Sequence, residues 1–119
     1  MNVVDSSAWM EYLADTSRAK LFAKPIEDHK NLIVPVISIY EVFKKVLRES
    51  GEGQALQVVN VMMNGRVVDI DVSLVLEAAH HPMPLADSLI YATARRHGAV
   101  LWTQDADFDG LTDVRFFPK

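Results

Sequence analysis

The chain has 119 residues, half of them apolar, with a formal charge of −4 and no cysteine. That length fits one domain around one core, expected to span residues 1–119. The missing cysteines exclude a disulfide framework and a thiolate metal site, and the acidic balance argues against broad, non-specific nucleic-acid binding.

In chain order, Val3 and Val4 read as a short buried strand. Asp5-Ser6-Ser7 follow as helix-capping residues, and Trp9, Tyr12 and Leu13 share one face of a helix over 6–13. Asp15-Thr16-Ser17 is a turn before a second helix, Arg18 to Asp28, which Pro25 is expected to shorten or kink. Leu32-Ile33-Val34 is the second strand, ended by Pro35. From Ser38 a long amphipathic helix begins, with Ile39, Val42, Phe43, Val46 and Leu47 set against Lys44, Lys45, Arg48 and Glu49. Ser50 to Gly53 is a break, and Ala55 to Asn64 is a fourth helix ended by Gly65.

Val67 to Ile70 is the third strand, leading through Asp71 and Ser73 into a short helix that ends near His80. After the loop His81 to Pro84, Ala86 to His97 is a helix stopped by Gly98. Val100 to Trp102 is the fourth strand, 104–110 a polar loop, and Val114 to Phe117 a fifth strand at an edge. Short apolar strands separated by helices imply an α/β protein with a parallel sheet and helices on both faces. No apolar run approaches the roughly 20 residues of a membrane helix, and the N-terminus lacks the pattern of a signal peptide. A cytoplasmic protein without membrane contact is the expectation.

Four acids fall just after a strand or at the start of a helix: Asp5, Glu41, Asp87 and Asp105. Each alone has a structural explanation. Asp5 and Asp87 serve as N-caps, Ser38-Ile39-Tyr40-Glu41 fits a capping box, and Asp105 starts a turn. Together they suggest more. In open parallel sheets ligands sit outside the carboxyl ends of the strands, where these acids would gather. Hard divalent cations take oxygen ligands, and ions held by such a cluster activate water for attack on a phosphodiester. Without a metal the cluster only repels itself.

Other signals carry less. Asp105 to Gly110 copies half an EF-hand loop, but Phe116 stands where a bidentate Glu is required. His80 and His81 are adjacent and cannot share a helix face. Lys44, Lys45 and Arg48, like Arg95-Arg96, read first as solvated helix faces and second as phosphate contacts.

The segments Asp5–Ser7, Pro35–Val42, Pro84–Ala94 and Trp102–Phe108 resemble the motifs of PIN-domain ribonucleases. The nearest type is the small VapC-like toxin of bacterial and archaeal toxin–antitoxin pairs. The resemblance spans essentially the whole chain. It implies a three-layer α/β/α fold with a five-stranded, mainly parallel sheet in the order 3-2-1-4-5. It also implies an endoribonuclease using Mg²⁺, with Mn²⁺ as a substitute, bound by Asp5, Glu41, Asp87 and Asp105. Asp107 stands as a fifth acid, with Ser6 and Thr103 as polar helpers. An RNA substrate, a cognate antitoxin lying along helices one, three and four, and a homodimer or hetero-oligomer are implied too. Trp9, Tyr12, Leu13, Val46 and Leu47 are the apolar candidates for the antitoxin surface. The short His80–Pro84 loop departs from the family in leaving little room for a substrate-reading insertion. Two alternatives stand beside this reading, a catalytically inactive PIN-fold binding module and a receiver-like signalling domain. The second would need Asp69 or Asp71 as phospho-acceptor and a Lys after the last strand, where only Lys119 follows.

Overall fold

The computed structural model describes residues Met1–Lys119. Five strands form one sheet: β1 (Asn2–Val4), β2 (Leu32–Pro35), β3 (Arg66–Val68), β4 (Val100–Thr103) and β5 (Val114–Phe116). Their order is β3-β2-β1-β4-β5, and every pairing is parallel. The connections carry α1 (Ser6–Leu13), α2 (Ala19–Glu27), α3 (Val36–Ser50), α4 (Glu52–Met62), α5 (Val72–Ala78) and α6 (Leu85–Arg96). No helix is long and apolar enough to cross a membrane.

Strand side chains alternate between the two faces, so each face has its own core. Val4, Leu32, Val34 and Trp102 pack with Trp9, Phe22, Val42 and Met62 from α1–α4. Val3, Ile33 and Leu101 pack on the other face with Ile90, Tyr91 and Ala94 of α6 and with Phe108. Leu74 and Ala78 dock α5 onto Leu89 and Ala92 of α6. The expected three layers and strand order are present.

Several boundaries differ from expectation. β3 ends at Val68, because Asp71 turns its carboxylate to the Leu74 N–H (2.8 Å) and caps α5. Pro25 sits buried inside α2, which continues to Glu27. α3 begins at Val36, directly after the extended Pro35, so Ser38 lies within the helix. Ser38 is fully buried and its Oγ has no partner, so the expected capping box with Glu41 does not form. The break between α3 and α4 is one residue, Gly51, at φ +86°. At Gly65 the chain passes so close to β2 that a Cβ would lie 2.9 Å from Val34 Cγ2.

Two of the five interface candidates are corrected. Trp9 is fully buried and Val46 is 6 % exposed, both within this chain's own core. Their apolar faces are satisfied by Val4, Val42 and neighbouring side chains, so neither offers surface to a partner. Tyr12 and Leu13 are half-buried, and Leu47 is exposed.

Candidate active site

β1 lies at the middle of the sheet, between β2 and β4. The chain connections run outward in opposite directions from this point, which opens a crevice at the carboxyl ends of β1 and β4. Asp5 is the residue after β1, and its N–H extends the ladder to the Trp102 carbonyl (3.1 Å). Its carboxylate caps α1, accepting from Ala8 N at 3.3 Å and Ser7 Oγ at 3.0 Å. Asp5 is only 2 % exposed. Burial raises its pKa from 3.8 to about 6, and the Asp105 charge adds to the rise, while hydrogen bonds from Ser7, Ala8 and Thr103 oppose it.

Asp105 reaches the crevice from β4. The buried Thr103 ends that strand, and its Oγ1 accepts from the Asp105 N–H at 2.9 Å. Asp105 Oδ1 in turn accepts from the Asp107 N–H at 2.9 Å. This starts a single 3-10 turn, Ala106–Phe108, pinned by the fully buried Phe108. The turn brings Asp107 back toward the crevice.

Asp87 arrives from the other side of the sheet. The N-cap position of α6 is Pro84, so Asp87 lies in the first turn with no capping bond, contrary to the N-cap reading. Its pKa is raised from 3.8 to about 7. Desolvation is the largest cause, followed by the charges of Asp105, Glu41, Asp5 and Asp107. Asp87 therefore feels all four of the other acids. One carboxylate oxygen from each of Asp87, Asp105 and Asp107 lies within 4.8 Å of the other two.

Glu41, in the second turn of α3, is half-buried. Its Oε1 accepts the hydroxyl of Ser6 at 2.6 Å. That bond crosses from α3 to α1 and replaces the capping box as the explanation of Glu41's place.

None of these five acids is paired with a Lys or Arg. The ion pairs of the molecule are Arg18–Glu11, Arg95–Asp113 and Arg96 with Asp71 and Glu77. Asp71, the nominal phospho-acceptor, is thus held by Arg96 and stands outside the cluster. Asp5 is buried, Glu41, Asp87 and Asp105 are half-buried and Asp107 is exposed, and such a group without cationic partners raises its own energy. Its donor set is oxygen alone, at separations that one ion can bridge, which fits a hard divalent cation.

Two participants escaped the sequence reading. Ser7 holds Asp5, although it read only as part of a capping run. Gln104, placed in a polar loop, is 6 % exposed and bonded to both Arg18 and Glu11. Its position between Thr103 and Asp105 was the one available hint.

A family model for the PIN domain matches residues 3–113. The chain belongs to the PIN-domain family. Solved structures with the same fold include a toxin–antitoxin complex from Klebsiella pneumoniae, 17 % identical with a TM-score of 0.82 and all of both chains covered. Another is VapC20 of Mycobacterium tuberculosis, described as a sarcin–ricin loop cleaving toxin. It is 18 % identical, with a TM-score of 0.79 over 99 % of this chain and 100 % of that one. A third is a DNA-bound VapBC complex of Salmonella typhimurium, 14 % identical, TM-score 0.75, covering 98 % and 96 %. No curated protein matches the sequence. This PIN domain thus has the VapC-type fold, with its acids at the sheet edge where that fold has its crevice.

Proposed function

We propose that this PIN domain is a Mg²⁺- or Mn²⁺-dependent endoribonuclease, a cytoplasmic toxin held in check by a cognate antitoxin. The observation that carries the reading is the gathering of Asp87, Asp105 and Asp107 within 4.8 Å of one another with no cationic partner, close enough to Asp5 and Glu41 for their charges to act on Asp87. Asp87, Asp105 and Asp107 would hold the ion, with Asp5 and Glu41 completing its anionic surroundings. Such an ion, once bound, lowers the pKa of water and offsets the charge of a phosphodiester.

The chain's own residues prepare that site. Ser7 and the Ala8 N–H take one oxygen each of Asp5 and fix its plane. Ser6 occupies Oε1 of Glu41 and leaves Oε2 without a protein donor. Thr103 holds the backbone of Asp105, so the carboxylate projects from a rigid strand end rather than a mobile loop. Attack by water at phosphorus breaks the bond to O3′ and leaves a 3′-hydroxyl and a 5′-phosphate.

A partner antitoxin is supported by the neighbours, several of which are toxin–antitoxin complexes by description. A groove of about 510 Å³, with Tyr12, Leu13, Ala19, Ala23 and Val61 as its apolar lining and Asp15, Lys20 and Glu27 as its charged lining, suits a partner segment. Self-association is supported by Val72, Val75, Leu76 and Leu85, all exposed on α5 and at the start of α6. Sedimentation of the protein alone tests that part, and a monomer at all concentrations rejects it.

The deciding experiment incubates purified protein with end-labelled single-stranded RNA in Mg²⁺, Mn²⁺ or EDTA. Cleavage in either metal, its loss in EDTA and 5′-phosphate ends are expected. Undiminished cutting in EDTA, or 2′,3′-cyclic phosphate ends, would reject the mechanism.

A further inference from the structure

Beside the acids, a groove of about 740 Å³ runs between α1 and α3. Ser6 and Glu41 are among its lining residues, so the groove shares Glu41 with the acid site. Along it stand Lys44, Lys45, Arg48 and Lys119. On α3, Glu41, Lys44, Lys45 and Arg48 recur at i, i+3, i+4 and i+7, which places them on one helix face. With a rise of about 1.5 Å per residue, the cations follow Glu41 by about 5 to 10 Å along the axis.

None of these four cations forms a salt bridge, although the charge of Lys119 reaches Glu11 at longer range. Lys44 Nζ meets only Tyr40, 3.3 Å from its hydroxyl and 5.5 Å from its ring centroid. Tyr40 is 56 % exposed, lines the same groove and immediately precedes Glu41. Two acids also face the groove. Glu11 is occupied by Gln104 and Thr16, and Glu49 lies at the far end beside Arg48. In a chain of net charge −4, unpaired cations gathered in one groove beside an aromatic ring have the makeup of a single-strand track. The second groove carries one cation, Lys20, against two acids, Asp15 and Glu27, and its Tyr12 hydroxyl is held by Glu27, so it does not gather positive charge in the same way.

We infer that the α1–α3 groove is where the RNA strand flanking the scissile phosphate lies. Lys44, Lys45 and Arg48 bind its phosphates, and the Tyr40 ring stacks on a base. The inference rests on the nuclease reading above and extends it to how substrate is held. Stacking tolerates any base, so this track favours unpaired RNA over a particular sequence.

The test combines Lys44→Ala, Lys45→Ala and Arg48→Ala in one variant, with Lys24→Ala plus Lys30→Ala as a control of similar charge change on exposed surface elsewhere. Cleavage kinetics in Mg²⁺ and RNA binding in EDTA are both followed from 50 to 200 mM salt. Thermal melts establish that each variant is folded. For single strands, each phosphate contact adds about 0.7 to the slope of log K against log salt. The triple variant is expected to lower that slope by about 2, raise KM at least tenfold and leave kcat near wild type. Tyr40→Ala should raise KM about tenfold, and Tyr40→Phe should restore it. A triple variant with wild-type KM and salt slope overturns the track. So does a triple variant whose RNA binding and salt slope change no more than those of the Lys24→Ala plus Lys30→Ala control. If wild-type protein fails to cut, the nuclease reading falls, while the salt slope of binding still judges the track separately.

Discussion

The Ser6 hydroxyl donates to Glu41 Oε1 at 2.6 Å, joining the first turn of α1 to the second turn of α3. This bond gives Glu41 one orientation. Removing it should therefore act on the site more than on the fold. Ser6→Ala is expected to cost about 1–2 kcal/mol of stability, since the lost bond is to a charged group but the residue is half-exposed. Residues that orient a metal ligand typically matter 10–100-fold, so activity should fall within that range. Glu41→Gln keeps an acceptor for Ser6 and loses the charge. It should melt at or above the wild-type temperature and cut RNA at least about 100-fold more slowly. Equal activity of both variants with wild type would remove Glu41 from the site.

Asp5 and Asp87 separate capping from chemistry. Asp5 does cap α1, and Asn is about as good a cap as Asp. Asp87 caps nothing, so Asp87→Asn has no capping bond to lose. Relief of repulsion from Asp105, Glu41, Asp5 and Asp107 should raise the metal-free melting temperature of Asp87→Asn by a few degrees, on the order of 1 kcal/mol. Asp5→Asn should be neutral or slightly stabilising, and Asp105→Asn likewise. All three should lose cleavage by orders of magnitude. Melts in EDTA and a cleavage assay decide it, and three active variants would leave only the structural role.

The raised pKa values set a pH dependence whose sign is opposite to that of a paired carboxylate. Folded Asp5 titrates near 6 and folded Asp87 near 7, against an ordinary value of 3.8. Between these limits the folded chain binds more protons than the unfolded one, so metal-free stability falls as pH rises from about 4 to 7. For buried Asp5 alone, the difference amounts to about 3 kcal/mol. A bound divalent cation replaces the protons. Its stabilising effect should be small at pH 5 and several degrees or more at pH 8. Melts with Mg²⁺ or EDTA across that range check it, and a melting temperature in EDTA that climbs from pH 5 to 8 would contradict it.

What could be read from the chain follows local chemistry. Asp5 and Asp105 stand where apolar strands give way to polar residues, and Glu41 and Asp87 lie within the first two turns of their helices. Strand pattern and turn residues are local, so the acids were legible. The partners holding them were less so. Glu41's donor is 35 residues away, and Gln104's partner Arg18 is 86 residues away. Asp107 depends on a 3-10 turn too short for any periodicity to reveal. Trp9 belongs to an apolar helix face, but periodicity does not tell whether a sheet or a partner covers that face. The sheet and its neighbouring helices do.

The Arg18–Gln104 contact yields the last prediction. Arg18 donates through Nε to Gln104 Oε1 and through a terminal nitrogen to the Phe117 carbonyl, both at 2.7 Å. Gln104 Nε2 donates to Glu11 at 2.8 Å. The guanidinium thus clamps the start of α2 to the residue directly before Asp105. A lysine at position 18 supplies charge without a rigid two-pronged donor, so Arg18→Lys should satisfy one acceptor at most. Arg18→Ala leaves the buried Gln104 oxygen unpaired, at a cost of about 1–3 kcal/mol. Loosening that residue displaces the Asp105 carboxylate from Asp87 and Asp107, so metal affinity should weaken about tenfold in both variants. A purely structural clamp would lower the melting temperature and leave Mn²⁺ affinity unchanged. Calorimetric Mn²⁺ titration well below the melting temperature distinguishes the two. A wild-type affinity in Arg18→Ala would confine Arg18 to holding the fold.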